Sequence, residues 1–204
     1  MRQPTDSFAP LALSTLRSHT GYTKPHFFSP NPVKVSSPAL EVMTDLRFVP
    51  ASTVHPEVDV MSATQIMIAH GVRLLLVVDA MDDVIGLITS RDLLDETYDV
   101  MGSSTVNFGK IKVSHVMTVA DHIGVIPLEA VLHAHVGDII ETLKQSARQH
   151  AVVVEEETST GKAAIRGIFS AAQIARQLGI VLQKHNLFHT FAEIDRAVTN
   201  RAGR

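Results

Sequence analysis

The pattern of apolar and polar residues predicts the same set of elements twice along the 204-residue chain. Each set contains a helix whose apolar residues recur three and four positions apart, as expected for one buried helix face. Two short apolar strands separated by a turn follow, and runs this rich in Val and Leu are typical of buried strands. The apolar stripes of the two helices are Val60, Ala63, Thr64, Met67 and Ile68 in the first set, and Val136, Ile139, Ile140 and Leu143 in the second.

The two sets have corresponding segments throughout, which indicates an internal duplication. Val42-Met43-Thr44 recurs as Val116-Met117-Thr118, and the matched segments of strand and closing helix are 74–79 with 150–155, 84–89 with 164–170, and 90–98 with 171–180. Each copy therefore follows the order strand, helix, strand, strand, helix. A unit of about sixty residues buries little surface alone. We predict an α+β fold in which two β-α-β-β-α units pack sheet to sheet.

The repetition divides the chain into five segments: an arm 1–38, a first repeat 39–99, a linker 100–112, a second repeat 113–182 and a tail 183–204. The first segment is rich in Pro, Ser and Thr without a sustained period, and we predict a flexible N-terminal arm. An arm that caps a partner's surface is the alternative. The last segment carries apolar residues at helical spacing and predicts a C-terminal amphipathic helix that packs on the body or on another copy.

Composition and charge exclude several classes of function. Residues 1–38 carry a net charge of +3 and the remaining residues −6, and an acidic body does not suit the binding of long nucleic acids. The absence of cysteine excludes disulfides, thiol nucleophiles and thiolate zinc sites. No run approaches the 18 apolar residues of a membrane span, and no clear signal peptide is present, so we predict a cytoplasmic protein with no membrane partner.

The candidate chemistry lies where the second apolar strand of the first copy ends. Gly86 permits the close approach of another backbone or of a ligand. The strand ends at Thr89, and Asp92 follows in the first helical turn, where free amide groups and the positive end of the helix dipole can hold a phosphate. The Asp92 carboxylate can accept hydrogen bonds from a ribose diol, and Arg91 can neutralise phosphate charge.

A purely structural interpretation of the same residues stays open. Thr-x-x-Asp is also a capping box, in which two side chains satisfy each other's backbone donors. The second copy has Ser170 and Gln173 at these positions, which keeps a capping pattern but loses the carboxylate. The first copy is therefore the better candidate for a ligand site.

The duplicated pattern resembles the cystathionine-β-synthase (CBS) domain, and the two copies together resemble a tandem CBS pair, or Bateman module. The resemblance covers roughly residues 40–180 and rests on 42–44, 71–79 and 86–94, which occur in the family's order. It implies a regulatory module that binds an adenosine-containing ligand, such as AMP, ADP or ATP, in the cleft between the repeats. It also implies a homodimer.

The resemblance further implies which residues meet the ligand. Thr89 and Asp92 match the phosphate and ribose positions, and Ser170 matches the threonine position of the second copy. The positions that sandwich the base are Thr53, Val54, His55, Leu74 and Leu76. Many family members have a proline where this chain has Leu76, and Gln173 departs from the family's aspartate.

Other candidate sites are weaker. His133 and His135, or His185 and His189, lack the further ligands that a metal site needs, and His150 is interpreted as a core residue that titrates near neutral pH. Glu155-Glu156-Glu157 predicts a solvated turn. No catalytic constellation and no cofactor motif is present.

We therefore predict a non-catalytic sensor of an adenine nucleotide that acts on a partner protein. The alternatives are a scaffold for dimerisation or protein interaction with a vestigial pocket, and an enzyme with an unrecognised site.

Overall fold

The computed structural model describes residues 33–93, 111–156 and 163–180, together with Ile194. The predicted arm up to residue 32, the end of the helix predicted at 90–98 and most of the linker 100–112 lie outside these described residues. The same holds for the tail 183–204 apart from Ile194.

The first repeat contains three strands and two helices in the predicted order, after a 3-10 helix at Ala39–Val42 and one additional strand. Its elements are β1 (Thr44–Asp45), β2 (Thr53–Val54), α1 (Val60–His70), β3 (Leu74–Val78), β4 (Val84–Thr89) and α2, which begins at Ser90 and is described to residue 93.

The second repeat has the same order with two further short helices. Its elements are α3 (Val113–Val116), β5 (Thr118–Val119), a 3-10 helix (Ala120–His122), β6 (Val125–Pro127), α4 (Leu128–His133), α5 (Val136–Gln145), β7 (His150–Glu156), β8 (Ala163–Ser170) and α6 (Ala171–Gln177).

Local signals set where α1 begins and ends. The Asp59 carboxylate accepts a hydrogen bond from the Ser62 amide at 2.9 Å, which satisfies a free donor at the helix start. Gly71, with φ of 67°, ends the helix in the left-handed conformation that glycine adopts readily. The Arg73 carbonyl then accepts a hydrogen bond from the Ser90 amide at 3.0 Å, so the start of α2 is anchored beside the start of β3.

The strands form two four-stranded sheets, in the orders β2-β3-β4-β5 and β1-β8-β7-β6. Three strands of each sheet come from one repeat, and the fourth comes from the other repeat. β5 pairs antiparallel with β4, and β1 pairs antiparallel with β8. The recurring Val-Met-Thr tripeptide supplies the threonine of each exchanged strand, so the tripeptide marks the exchange between the repeats.

A glycine opposite each exchanged strand makes room for it. A Cβ on Gly86 would lie 2.7 Å from the Thr118 carbonyl oxygen, and a Cβ on Gly167 would lie 2.5 Å from the Met43 Sδ. Both distances are too short for a Cβ atom at Gly86 or Gly167 unless the neighbouring atoms move. The close approach predicted at Gly86 is therefore confirmed, and the approaching group is the backbone of β5.

Three apolar clusters hold the fold together. One lies between α1 and the outer face of its sheet, and a second occupies the equivalent place in the other repeat, where Ile194 is also buried. The third joins the inner faces of the two sheets through Leu74, Leu76, Leu87 and Val152. The predicted packing of two β-α-β-β-α units sheet to sheet is thus confirmed.

Residues before the first repeat also belong to the packed body. Val33 and Val35 pack against the core of the second repeat, and the Val35 carbonyl accepts a hydrogen bond from the Gly137 amide at 2.8 Å. Within the described residues, no helix is long and apolar enough to cross a membrane.

The prediction of a solvated turn is wrong for Glu155 and Glu156, which lie in β7; Glu157 lies outside the described residues. The Glu155 carboxylate accepts a hydrogen bond from Arg47 at 2.8 Å and lies 3.2 Å from the Nε of Arg166. Arg166, the additional residue of a β-bulge in β8, also binds Asp45 of β1. This network ties the exchanged strand β1 to the second repeat.

The hydrogen bonds and charges of this network lower the pKa of the Asp45 carboxyl. Burial works to raise the pKa of the Asp45 carboxyl, but hydrogen bonds from the Arg47 amide and the Arg166 guanidinium outweigh it and hold the pKa below its ordinary value.

The two glycines respond differently to substitution by alanine. We expect G86A to lower the free energy of unfolding by about 2–3 kcal/mol, because the new methyl meets a backbone carbonyl that cannot move without breaking β5 from β4. G167A meets the Met43 side chain, so its cost should fall when M43A is added. Urea denaturation of G86A, G167A, M43A, M117A and the doubles G86A/M117A and G167A/M43A measures both effects. Equal coupling in the two pairs would contradict the assignment of a backbone obstacle at Gly86.

Candidate functional site

Thr89 and Asp92 form a closed local arrangement at the start of α2. The Asp92 Oδ2 accepts hydrogen bonds from the Thr89 amide at 2.7 Å and from the Thr89 hydroxyl at 2.8 Å. The Thr89 hydroxyl in turn faces the Asp92 amide at 3.5 Å. The capping box considered from the sequence is therefore present. It fixes the carboxylate in one orientation, and neither of the two bonds to the carboxylate uses Oδ1.

Strand register places most of the predicted base-binding residues on one face of the sheet. Leu74 lies opposite Thr89, and Leu76 lies beside Thr53 in the parallel pair of β2 and β3. Directly paired residues project to the same face of a sheet. This is the inner face, because Leu74 and Leu76 belong to the cluster shared with the second repeat.

The remaining predicted residues of the first repeat have other surroundings. The Val54 side chain is buried on the opposite face, in the core beneath α1. His55 is exposed and accepts a long hydrogen bond of 3.4 Å from the Glu57 amide, and Arg91 is exposed on α2. Leu74 and Leu76 are buried against the second repeat. The fold thus brings Thr53, Leu74, Leu76, Thr89 and Asp92 to one side and leaves Val54 behind the sheet.

The second repeat does not reproduce the capping box. Ser170 precedes α6 but makes no side-chain capping hydrogen bond. The Gln173 Oε1 instead accepts a hydrogen bond from the Thr44 hydroxyl at 3.1 Å, so Gln173 contacts the exchanged strand β1. The capping pattern predicted at Ser170 and Gln173 is therefore wrong, because the side chain that would complete it has a long-range partner.

His150 was missed as a neighbour of this site. It begins β7 opposite Ser170, two residues before the inner-face residue Val152, and is half-buried. Burial and, to a smaller extent, the charge of Arg73 lower the pKa of His150 to about 4, against the opposing charge of Asp92. The prediction that His150 titrates near neutral pH is therefore wrong.

Arg73 is the second residue that the sequence analysis did not assign. It lies between the Gly71 turn and β3, its carbonyl holds the start of α2, and its charge reaches His150 of the other repeat. The signal was available, since Arg73 lies in the Gly71-Val72-Arg73 segment directly before the apolar strand. The effect of the Arg73 charge on His150 of the other repeat can be recognised only from the packed structure.

A cavity of about 370 Å³ lies near this region, between α1 and the start of α2. Its described lining is mainly apolar, with Arg73 and Ser90 among the polar residues, and it contains none of the predicted site residues. Within the described part of the chain, no group of three His, Asp or Glu side chains could hold a metal ion.

Comparison with known proteins identifies the fold. The model of the CBS domain family matches residues 39–99. No curated protein matches the sequence. An uncharacterized conserved protein from Pyrococcus horikoshii is similar in structure, with a TM-score of 0.54 and 20% identity over 75% of this chain and 100% of that one.

Two of the other similar solved structures, both with a TM-score of 0.50, are described as CBS domains. The CBS domain pair of protein MJ0100, in complex with 5′-methylthioadenosine and S-adenosyl-L-methionine, is 19% identical over 72% of this chain and 98% of that one. The CBS domain of the bacterial CNNM/CorC family Mg²⁺ transporter, in complex with ATP, is 16% identical over 72% of this chain and 91% of that one. The described residues therefore have the fold of a CBS domain pair, and residues 39–99 match the model of the CBS domain family.

The lowered pKa of His150 predicts a loss of stability in acid. Because the folded protein binds a proton at His150 less tightly than the unfolded chain does, unfolding becomes more favourable as the pH falls from about 6.5 to about 4. The effect reaches at most about 3 kcal/mol. Urea denaturation at several pH values should show this slope in the wild type and a smaller one in H150Q. Parallel slopes in the two proteins would contradict the burial of a neutral imidazole.

Proposed function

We propose that this CBS domain pair is a non-catalytic regulatory module that binds an adenosine-containing ligand, such as AMP, ADP or ATP, beside Thr89 and Asp92. The observation that carries the proposal is the orientation of the Asp92 carboxylate. Its Oδ2 is occupied by Thr89, so Oδ1 is the oxygen assigned to a ribose hydroxyl. A carboxylate fixed before the ligand arrives loses little side-chain entropy on binding.

The surrounding charges support a ligand with a phosphate. The charges of Arg73 and Asp92 both act on His150, and Arg91 is the second residue of α2. A guanidinium is well suited to a phosphate group because its donors match the phosphate oxygens in geometry. The inner-face residues Thr53, Leu74 and Leu76 are assigned to the nucleoside end.

The proposal includes one principal site for each chain. At the equivalent position in the second repeat, Gln173 carries no charge and is bonded to Thr44. Ser170 lacks the partner that Thr89 has in Asp92. A nucleotide would therefore meet a fixed carboxylate in the first repeat alone.

The ligands in two similar structures support the class of ligand. The CBS domain pair of MJ0100 was solved with two adenosine-containing compounds, and the transporter CBS domain was solved with ATP. In the present chain, binding would stabilise one arrangement of the two repeats, and a ligand shifts such an equilibrium only through its different affinity for the two states. A cytoplasmic partner protein would receive the signal.

The face of α1 that points away from the core supports a homodimer. Met61 and Ile68 are 52% and 74% exposed, and α1 contains no Asp, Glu, Lys or Arg. The equivalent positions on α5 are Gly137 and Lys144, on a helix whose outer face is polar. We assign the α1 face to a second copy of this chain, because the covering of apolar side chains is favourable and the matched face of α5 lacks them.

A scaffold without a ligand is the second candidate function. Its supporting observation is that every contact described for Asp92 serves the helix start, and that Leu74 and Leu76 are already buried against the second repeat. These residues therefore have a structural role that needs no nucleotide.

The substitution D92N separates capping from ligand binding. An asparagine oxygen can still accept both hydrogen bonds from Thr89, so the cap is kept, and we expect the lost charge at the helix start to lower the free energy of unfolding by only about 0.5–1 kcal/mol. Loss of the charged acceptor should weaken AMP or ATP binding by about tenfold or more. Isothermal titration calorimetry and thermal denaturation with a nucleotide panel measure the two quantities, since a ligand at 100 times its Kd adds about 2.7 kcal/mol.

The matched control for this test is Q173A, which should change the nucleotide Kd by less than about twofold because Gln173 is bonded to Thr44. Equal losses in D92N and Q173A would contradict the assignment to the first repeat. No melting shift with any nucleotide would favour the scaffold.

The dimer has its own test. Sedimentation velocity should give twice the monomer mass for the wild type and the monomer mass for M61K/I68K, because two ammonium groups cannot be buried without partners. K144A on the equivalent face of α5 is the control and should remain dimeric. A monomeric wild-type protein would refute the dimer.

A further inference from the structure

His150 lies on the inner face of the second repeat, where it is directed toward the first repeat. It is paired with Ser170 across β7 and β8, and Val152, two residues further along the same face, packs with Leu74, Leu76 and Leu87. The half-buried imidazole is therefore part of the junction between the repeats. The equivalent residue of the first repeat is Leu74, so this fold accepts an apolar side chain at the position.

The charged groups that act on His150 both come from the first repeat. They are Arg73, next to β3, and Asp92, in the first turn of α2. The strands that flank β7 contribute the Ser170 hydroxyl from β8 and no titratable residue from β6, which spans Val125–Pro127. The charges of the Asp92 carboxylate and the Arg73 guanidinium therefore both reach the imidazole across the junction of the repeats.

We propose that His150 is a specificity-determining residue that the second repeat contributes to the ligand site, and this proposal rests on the adenosine site proposed above. His150 favours a phosphate-bearing adenosine ligand over uncharged adenosine. The ligand site is then composite, with Asp92 assigned to the ribose and the pair of Arg73 and His150 assigned to the phosphate.

The burial of His150 and the charges around it explain how it discriminates between AMP and adenosine. Burial and the Arg73 charge both disfavour the imidazolium. A phosphate beside Arg73 reverses this effect, because it neutralises the guanidinium charge and can accept a hydrogen bond from a protonated imidazole. The proton and the phosphate therefore promote each other's binding, and the coupling is reciprocal. Uncharged adenosine lacks this coupling.

The consequence is a pH-dependent preference for the phosphate. The ratio of the adenosine Kd to the AMP Kd should rise about fivefold or more between pH 7.5 and pH 5.5, at the lower end of typical coupling between two sites. The AMP phosphate itself takes up a second proton near pH 6, which also changes AMP binding over this pH range. The ratio measured in a variant without the imidazole contains only this phosphate effect and is used to correct the wild-type ratio for it.

Isothermal titration calorimetry of AMP and adenosine at pH 5.5, 6.5 and 7.5 tests the proposal on the full chain. H150Q and H150L should lose the rise in the ratio and retain adenosine binding, and H150L copies the residue of the first repeat at the equivalent position. H133Q, which alters an exposed histidine of α4, is the matched control and should behave as the wild type.

Three results would overturn the proposal. If the ratio of the adenosine Kd to the AMP Kd is the same in H150Q and the wild type at every pH, His150 does not bind the phosphate. The proposed adenosine site then remains, but without His150. If both variants fold but lose adenosine as well as AMP, His150 holds the nucleoside instead. If neither compound binds the wild type, the proposed adenosine site itself fails, and this proposal fails with it.

Discussion

The exchange of β1 and β5 is the constraint on which the two-repeat arrangement depends. Each exchanged strand has only two residues, so its hydrogen bonds alone hold it weakly. Its position is fixed by what lies around it: a glycine that allows close approach, a methionine that packs over that glycine, and, for β1, the ion pair between Asp45 and Arg166. Because each repeat completes the sheet of the other, a displacement of one repeat disturbs the hydrogen bonding of both.

The start of α2 shows how one pair of side chains can serve both the fold and a site. The capping box uses the Thr89 hydroxyl and one oxygen of Asp92, and it begins the helix directly at the junction of the repeats. A side chain held in this way is oriented by the backbone it satisfies. The second repeat lacks this arrangement, and Gln173 supports the exchanged strand instead. The duplication has therefore been kept as architecture while the two halves differ in chemistry.

Much of the fold could be predicted from the sequence because its signals are local. The stripe on α1, the apolar runs of β3 and β7, and Gly71 at the helix end each act within a few residues. The predicted stripe is wrong at Ile68, which is 74% exposed. The strand exchange could not be predicted from the sequence. The recurring tripeptide indicates a repeat, but it does not show that each strand pairs with the sheet of the other repeat. The same limit applies to the partner of Gln173 and to the neighbours of His150, which are set by packing between residues far apart in the chain.

The reciprocal strands also bear on how such a chain could have arisen. A half-length ancestor with one repeat would have left a gap at the edge of its sheet and an unpaired strand beside it. Two identical copies could fill each other's gap about a two-fold axis, as β1 and β5 do here within one chain. Fusion of the two genes would convert that mutual dependence into a single polypeptide, after which either half would be free to diverge. The two halves of this chain do differ in this way at Asp92 and Gln173.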